Sequence, residues 1–344
     1  MIEITNGAMT NAMTRMLLLA GLSTLVSMVM TPIFTYFAYK YKLWKKQRSD
    51  DVSGKKLEVF NSLHAHKFKR NIPTMAGLIF VISISLVTLI FNFSYNTYLP
   101  LAALLFGGIV GLVDDIFNLI SDGIGKAGMR PWVKFSLITL AGLVFGWFFY
   151  SILGVSTIKV PFDGSIELGI WIIPIFAFIV VATGNSVNIT DGLDGLAGGL
   201  AMVSFLAFGI IALLQGNFGI AVFCMTVVGA LLSYLWFNIV PARFMMGDIG
   251  SFSLGASLGV VAMLTDSIFL LPIIGGMFVL ETSSSLIQIL SKKIFHKKIF
   301  KSAPLHHHLE ASGWQEPKIT MRFWIIGGVL AVVGLIIALE GGII

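Results

Sequence analysis

Residues 194–240 read DGLAGGLAMVSFLAFGIIALLQGNFGIAVFCMTVVGALLSYLWFNIV, and no charged residue follows the opening Asp194. The stretch holds two apolar runs, 194–214 and 218–240, parted only by Gln215, Gly216 and Asn217. Each is close to the roughly 20 residues that an α-helix needs to cross the hydrocarbon of a bilayer. Only three residues separate them, so the chain turns straight back, and the reading is a pair of antiparallel transmembrane helices.

The rest of the chain repeats this pattern. Of 344 residues, 56% are hydrophobic and 12% charged, about half the charged share of soluble domains. Mean hydropathy is +0.91. A soluble fold of this length keeps too much wetted exterior to hide so much apolar surface. Further candidate spans are 16–39, 74–94, 98–117, 132–153, 169–184, 251–265, 267–290 and 321–340, which makes about ten, with Pro272 placed to kink the ninth. The expected fold is therefore an all-α polytopic membrane protein, read as one domain over residues 1–344. The stretch 154–168 alternates apolar and polar residues around Phe162-Asp163-Gly164, and predicts a small outer β-hairpin. Arg15 precedes an apolar run too long for a cleaved leader, so that run reads as a retained first span.

The charge of +6 is placed for a membrane rather than for nucleic acid. Segments 40–73, 126–134, 243 and 291–322 carry 21 of the 23 basic residues, Arg15 and Lys159 being the exceptions. With ten spans all four segments fall on one side, which the positive-inside rule makes the cytoplasm, with both termini outside. The single cysteine, Cys224, excludes an internal disulfide.

Carboxylates are expensive at a membrane and usually functional there. Asp114 and Asp115 end the third span, where a hard cation or basic partner would relieve their repulsion. Asn185, Asn188, Asp191 and Asp194 form a polar set before the sixth span, although one of the aspartates could serve simply as an N-cap. Gly247, Asp248 and Ser251 open the eighth span, where new backbone N–H groups can face an anion and Asp248 suits Mg²⁺. His306, His307 and His308 stand in the last basic loop. One thiol and irregular spacing argue against zinc, and imidazoles that hold phosphate or orient a carboxylate fit better. Lys69 and Thr74 belong to the stretch 66–77 that enters the second span, where the positive-inside bias also explains Lys67 and Arg70. Glu281 and Gln288 lie two turns apart on the ninth span and are expected to line a polar cavity. All six features fall on or near one membrane face. A transporter would predict inverted repeats with paired broken helices, and the sequence has none.

Together LVDD (112–115), KRNIPTMAG (69–77), NSVNITDGLDGLAGG (185–199), MGDIGS (246–251) and APLHHHLE (303–310) resemble the phospho-N-acetylmuramoyl-pentapeptide transferases, within the polyprenyl-phosphate sugar-phosphate transferases. The likeness runs from about His66 to Trp324, and the triple histidine is its most specific piece. It implies transfer of phospho-MurNAc-pentapeptide from UDP-MurNAc-pentapeptide to undecaprenyl phosphate, giving lipid I and UMP at the cytoplasmic face of a bacterial inner membrane. The alternative is a relative using another donor, such as UDP-GlcNAc. By motif, Asp114, Asp115, Asp248 and His307 match catalytic positions, with Mg²⁺ on Asp248 and Asn188. Lys69, Thr74, Lys134, Asn185, Asn188, Asp191, Asp194, Met245, Gly247, Ser251, Glu281, Gln288, His306 and His308 match substrate-binding positions. A homodimer is also implied. The chain departs from the family pattern at Ile116 and Asn118, where tyrosine and lysine are usual, at Ala76, and at Met245, where a phenylalanine is usual and Phe244 lies one residue earlier.

Overall fold

A computed structural model describes residues 2–44, 71–120 and 128–344. Twelve helices and one hairpin are seen among them: α1 (Ile2–Lys40), α2 (Gly77–Phe91), α3 (Tyr98–Ile120), α4 (Pro131–Ser151), β1 (Thr157–Val160), β2 (Gly164–Glu167), α5 (Ile172–Thr190), α6 (Leu196–Leu214), α7 (Phe218–Asn238), α8 (Gly247–Leu264), α9 (Leu271–Ile274), α10 (Gly276–Ile294), α11 (Leu305–Glu310) and α12 (Glu316–Glu340). A 3₁₀ turn, Gly169–Trp171, leads into α5.

Eight described helices are long and apolar enough to cross a membrane. Two of the ten expected spans fall outside that group. The second, α2, is an apolar helix of 15 residues. The ninth is broken at Gly275 into α9 and α10. Pro272 does not kink the span as expected: it sits in the first turn of α9, where a proline is tolerated, and the interruption falls at Gly275 instead. The long piece, α10, carries Glu281, Gln288, Lys292 and Lys293, which lower its hydropathy. The first helix begins well before the expected residue 16, its polar start being carried by the same continuous backbone ladder.

The interior is layered around α8, the most thoroughly buried span. Its chief partner is α3. Gly107 and Gly111 of α3 lie directly on the α8 backbone at Phe252 and Asp248, where any Cβ would collide. That contact brings the aspartate pair of one helix against the aspartate of the other. The remaining close pairs are α1 with α7, α4 with α5, α5 with α8 and α6 with α7.

The hairpin forms as expected, with Thr157 opposite Glu167 and Val160 opposite Gly164. It marks the end of the bundle remote from the aspartates. There Phe162 N–H donates to Gly341 O, and Lys159 Nζ to Ile343 O at 3.2 Å. Gln215, which ends α6, also donates to Ile343 O.

Candidate active site

At the opposite end, the termini of α3, α4, α5 and α8 converge. Lys134, in the first turn of α4, places its ammonium 2.8 Å from Asp114 Oδ2 and 2.6 Å from Asp248 Oδ2. Its charge also lies 4.9 Å from the centre of the Phe252 ring, a favourable cation–π position. Asp114 is fixed further. Asn118 donates to its Oδ2 at 3.1 Å and to its backbone carbonyl, one turn away, and Met129 N–H donates to its Oδ1 at 2.6 Å.

Asp115 has a different neighbourhood. It is fully buried, and its Oδ2 accepts the Ile249 N–H at the start of α8, 3.1 Å away. A carboxylate at a helix N-terminus satisfies orphan N–H groups and the positive end of the dipole. The adjacent Gly247 has φ +72° and lies against Asp115, Thr74 Oγ1 and the Met75 backbone. Thr74 is therefore part of the floor under the α8 terminus. It is held there by a backbone clasp in which Met245 N–H donates to Pro73 O, while Ala76 and Gly77 donate to Met245 O and Met246 O. Lys69 lies outside the described residues.

The last turn of α5 links this centre to the histidines. Asn188 Nδ2 donates to Ser251 Oγ at 2.9 Å. Just beyond, Gly192 lies directly against His306 Nε2 and leaves no room for a Cβ. His306 is fully buried, and its Nδ1 and backbone N–H both meet the Glu281 carboxylate, at 2.8 and 3.1 Å. The His306 and His307 rings are 4.1 Å apart, edge to face. His307 Nδ1 is 2.7 Å from Glu310 Oε2. Burial lowers the His307 pKa below the usual imidazole value, against the smaller opposing pull of Glu310. His308 Nδ1 accepts the Lys301 N–H, and its ring edges onto Phe300.

Several sequence expectations change in detail. Glu281 and Gln288 are buried and turn their polar atoms to the chain rather than into an open cavity. Glu281 holds His306, while Gln288 is saturated by the backbone of Ile299 and Phe300. Asp194 is likewise buried and structural: its Oδ2 accepts the Ala242 N–H, and its own N–H donates to Glu316 Oε1 at 2.6 Å. Asn185 spends its Nδ2 on Val181 O, one turn back. Asp191 ends α5 half-buried. Phe244 does not stand in for the ring missing at Met245, because it is buried among Phe34, Tyr234 and Phe237.

The sequence reading passed over Met129, Phe252 and Glu310, whose roles come from folding back onto Asp114, Lys134 and His307. Only Glu310 carried a local signal, three residues from His307 on one helical turn. Among the described residues no three His, Cys, Asp or Glu side chains form a ready-made metal cage.

The long apolar helices define a polytopic membrane protein with a charged site at one end, and residues 97–266 match the family described as Glycosyl transferase family 4. The chain is 36% identical to the phospho-N-acetylmuramoyl-pentapeptide-transferase of Chloroflexus aggregans, covering 96% of this chain and 91% of that one. It is 35% identical to the protein of the same name from Anoxybacillus flavithermus (92% and 96% covered) and 37% identical to that from Bacillus mycoides (94% and 97%). The chain belongs to the phospho-N-acetylmuramoyl-pentapeptide-transferase family.

Proposed function

We propose that the chain transfers the phospho-MurNAc-pentapeptide unit of UDP-MurNAc-pentapeptide to undecaprenyl phosphate, giving lipid I and UMP at the cytoplasmic face of the membrane. An oxygen of the lipid phosphate forms a bond to the sugar-bearing phosphorus as the bond from that phosphorus to UMP breaks. Such chemistry needs positioning and neutralisation of phosphate charge more than covalent help.

The observation that carries this reading is the single ammonium of Lys134 spanning Asp114 and Asp248. A cation already occupies the space between two carboxylates, and it can be redistributed when phosphate oxygens arrive. Lys134 would move onto the diphosphate. Asp114, held by Met129 and Asn118, would orient the acceptor phosphate. That phosphate is largely ionised at neutral pH, so little proton transfer is required. Asp115 would act through the α8 terminus, as a positioning group. Glu281 sets His306, and His307, neutral at pH 7, would donate or accept hydrogen bonds at the sugar phosphate or the nucleotide.

The donor set also fits Mg²⁺, which takes one or two carboxylates and completes its shell with water and substrate phosphate. Asp248 would hold it, together with the Asn188 side-chain oxygen, whose amide nitrogen is engaged by Ser251. The metal would supply charge neutralisation of the diphosphate.

The test is release of UMP from UDP-MurNAc-pentapeptide with a polyprenyl phosphate acceptor. Turnover should require Mg²⁺ and fall by about two orders of magnitude or more in Asp248→Asn. Turnover of UDP-GlcNAc alone would overturn the donor assignment.

A further inference from the structure

At the hairpin end of the bundle, away from the candidate active site, a cavity of about 410 Å³ opens between α1, α2 and α7. Ala8, Asn11, Ala12 and Arg15 line one side. Their spacing of three, four and seven residues puts them on a single face of α1. The loop after α2 supplies Asn92, Ser94 and Asn96, and Phe218 and Gly219 bring the N-terminal end of α7 to the wall.

Among the lining residues whose side chains are described, Arg15 is the only charged one and none is a carboxylate. One guanidinium nitrogen donates to Phe91 O, the last residue of α2, at 2.6 Å. That bond uses a fraction of the five N–H donors of an arginine. The positive end of the α7 dipole adds to the same field. Asn92 spends its Nδ2 on Gly219 O, which fixes the loop against α7.

The depth of Arg15 points to the ligand. Lys40 and Arg15 are 25 positions apart on one helix, about 37 Å at 1.5 Å per residue. A bilayer has about 30 Å of hydrocarbon and 40–45 Å including headgroups. With Lys40 at one interface, Arg15 stands at headgroup level of the other. Exposed apolar side chains continue below the cavity into the membrane: Leu18 and Leu25 on α1, and Leu86, Leu89 and Ile90 on α2. Tyr95 and Tyr98 pack edge to face nearby, as aromatic residues do at interfaces.

We infer that this cavity is a seat for a phosphate group, presented by an anionic phospholipid of the leaflet opposite the active site. The Arg15 fork and the asparagine amides would take the phosphate oxygens, and the apolar faces of α1 and α2 the acyl chains. Arginine suits this role because its planar fork matches phosphate geometry.

Native mass spectrometry of the full chain, released from nanodiscs of equal phosphatidylglycerol and phosphatidylcholine, tests the inference. Wild type should retain phosphatidylglycerol preferentially. Arg15→Gln should reduce that preference about tenfold, as expected for losing a charge-assisted phosphate contact. Arg15 also caps α2, so a second variant, Ala8→Phe, fills the cavity from an exposed position and leaves that bond intact. It should lose the preference with an unchanged thermal midpoint. UMP release should stay within about twofold in both variants, because neither residue belongs to the active site.

A parallel arm adds inorganic phosphate to detergent-solubilised protein and follows thermal stability. Stabilisation that vanishes in Arg15→Gln, without any lipid preference, would identify free phosphate as the source and keep the cavity as a phosphate seat. Variants that match wild type in both arms would overturn the proposal.

Discussion

Lys134 and Lys159 sit at opposite ends of the bundle, and the company they keep is different. Lys134 is surrounded by side-chain charges, with Asp114 and Asp248 within 2.8 Å of its ammonium. Lys159 donates instead to the carbonyl of Ile343, while its backbone N–H goes to Asp266 Oδ1. Gln215, next to it, is bound to the carbonyls of Thr265 and Ile343. At the hairpin end, polar side chains finish the backbone's hydrogen bonding, which cannot be exchanged without loosening the fold. At the aspartate end, charges face other charges, and a substrate phosphate can replace one partner with another. Burying unmatched charge is costly, so an end that sets two aspartates on one lysine, with a third carboxylate, Asp115, at the adjoining helix terminus, is tuned for an incoming ion rather than for stability alone.

The sharpest way to break this contrast is to remove each lysine. Lys134→Ala leaves Asp114 and Asp248 facing each other without their shared cation, and UMP release should fall by about two to three orders of magnitude. Lys159→Ala should leave turnover within about twofold and lower thermal stability by about 1 kcal/mol, the scale of one hydrogen bond. Equal losses of turnover would erase the distinction.

A smaller effect is expected where α5 meets the histidines. Gly192→Ala puts a methyl onto His306 Nε2, which cannot retreat because Glu281 grips its other side. Turnover should drop about tenfold through displacement of the histidine. The matched change at the other end, Gly216→Ala, meets no neighbouring atoms but has φ +76°. It should cost about 1 kcal/mol of backbone strain and no activity. Calorimetry and turnover measured on both variants separate the two outcomes.

Acid should affect the two ends with opposite sign. The folded-state pKa of His307 is lowered by burial, so the unfolded chain takes up a proton first. The contribution of His307 is intact above about pH 6.5, the unfolded value, and declines as pH falls from there through the folded pKa. His307→Gln should flatten that part of a stability-against-pH curve. Asp266, in the turn after α8, has its pKa raised by burial, against the lowering pull of the Lys159 N–H and charge. Its contribution is therefore full below the unfolded value near 3.9 and is lost as pH rises through the folded pKa. Asp266→Asn retains an acceptor for Lys159 N–H. It should leave turnover unchanged and give the smallest effect of the series, a slight gain in thermal midpoint at pH 7 that disappears near pH 4.

The membrane-crossing architecture was legible from residue order alone, because an apolar run of about 20 residues has one low-energy solution in a bilayer. The hairpin and the cluster of polar motifs were legible for similarly local reasons, namely period-two alternation and the cost of carboxylates next to hydrocarbon. Local rules did not determine which polar group faces which. Asp114 and Asp115 are neighbours in sequence, yet one meets Lys134 and the other the start of α8, because successive residues on a helix point about 100° apart. Asp194, Glu281 and Gln288 read as members of an open cleft and proved to be buried supports. Their partners Ala242, His306 and Phe300 are between 12 and 48 residues away. Only the packing of α3 on α8 and of the histidine segment on α5 and α10 decides such pairings, since a buried polar atom takes whichever partner the fold brings within hydrogen-bond distance.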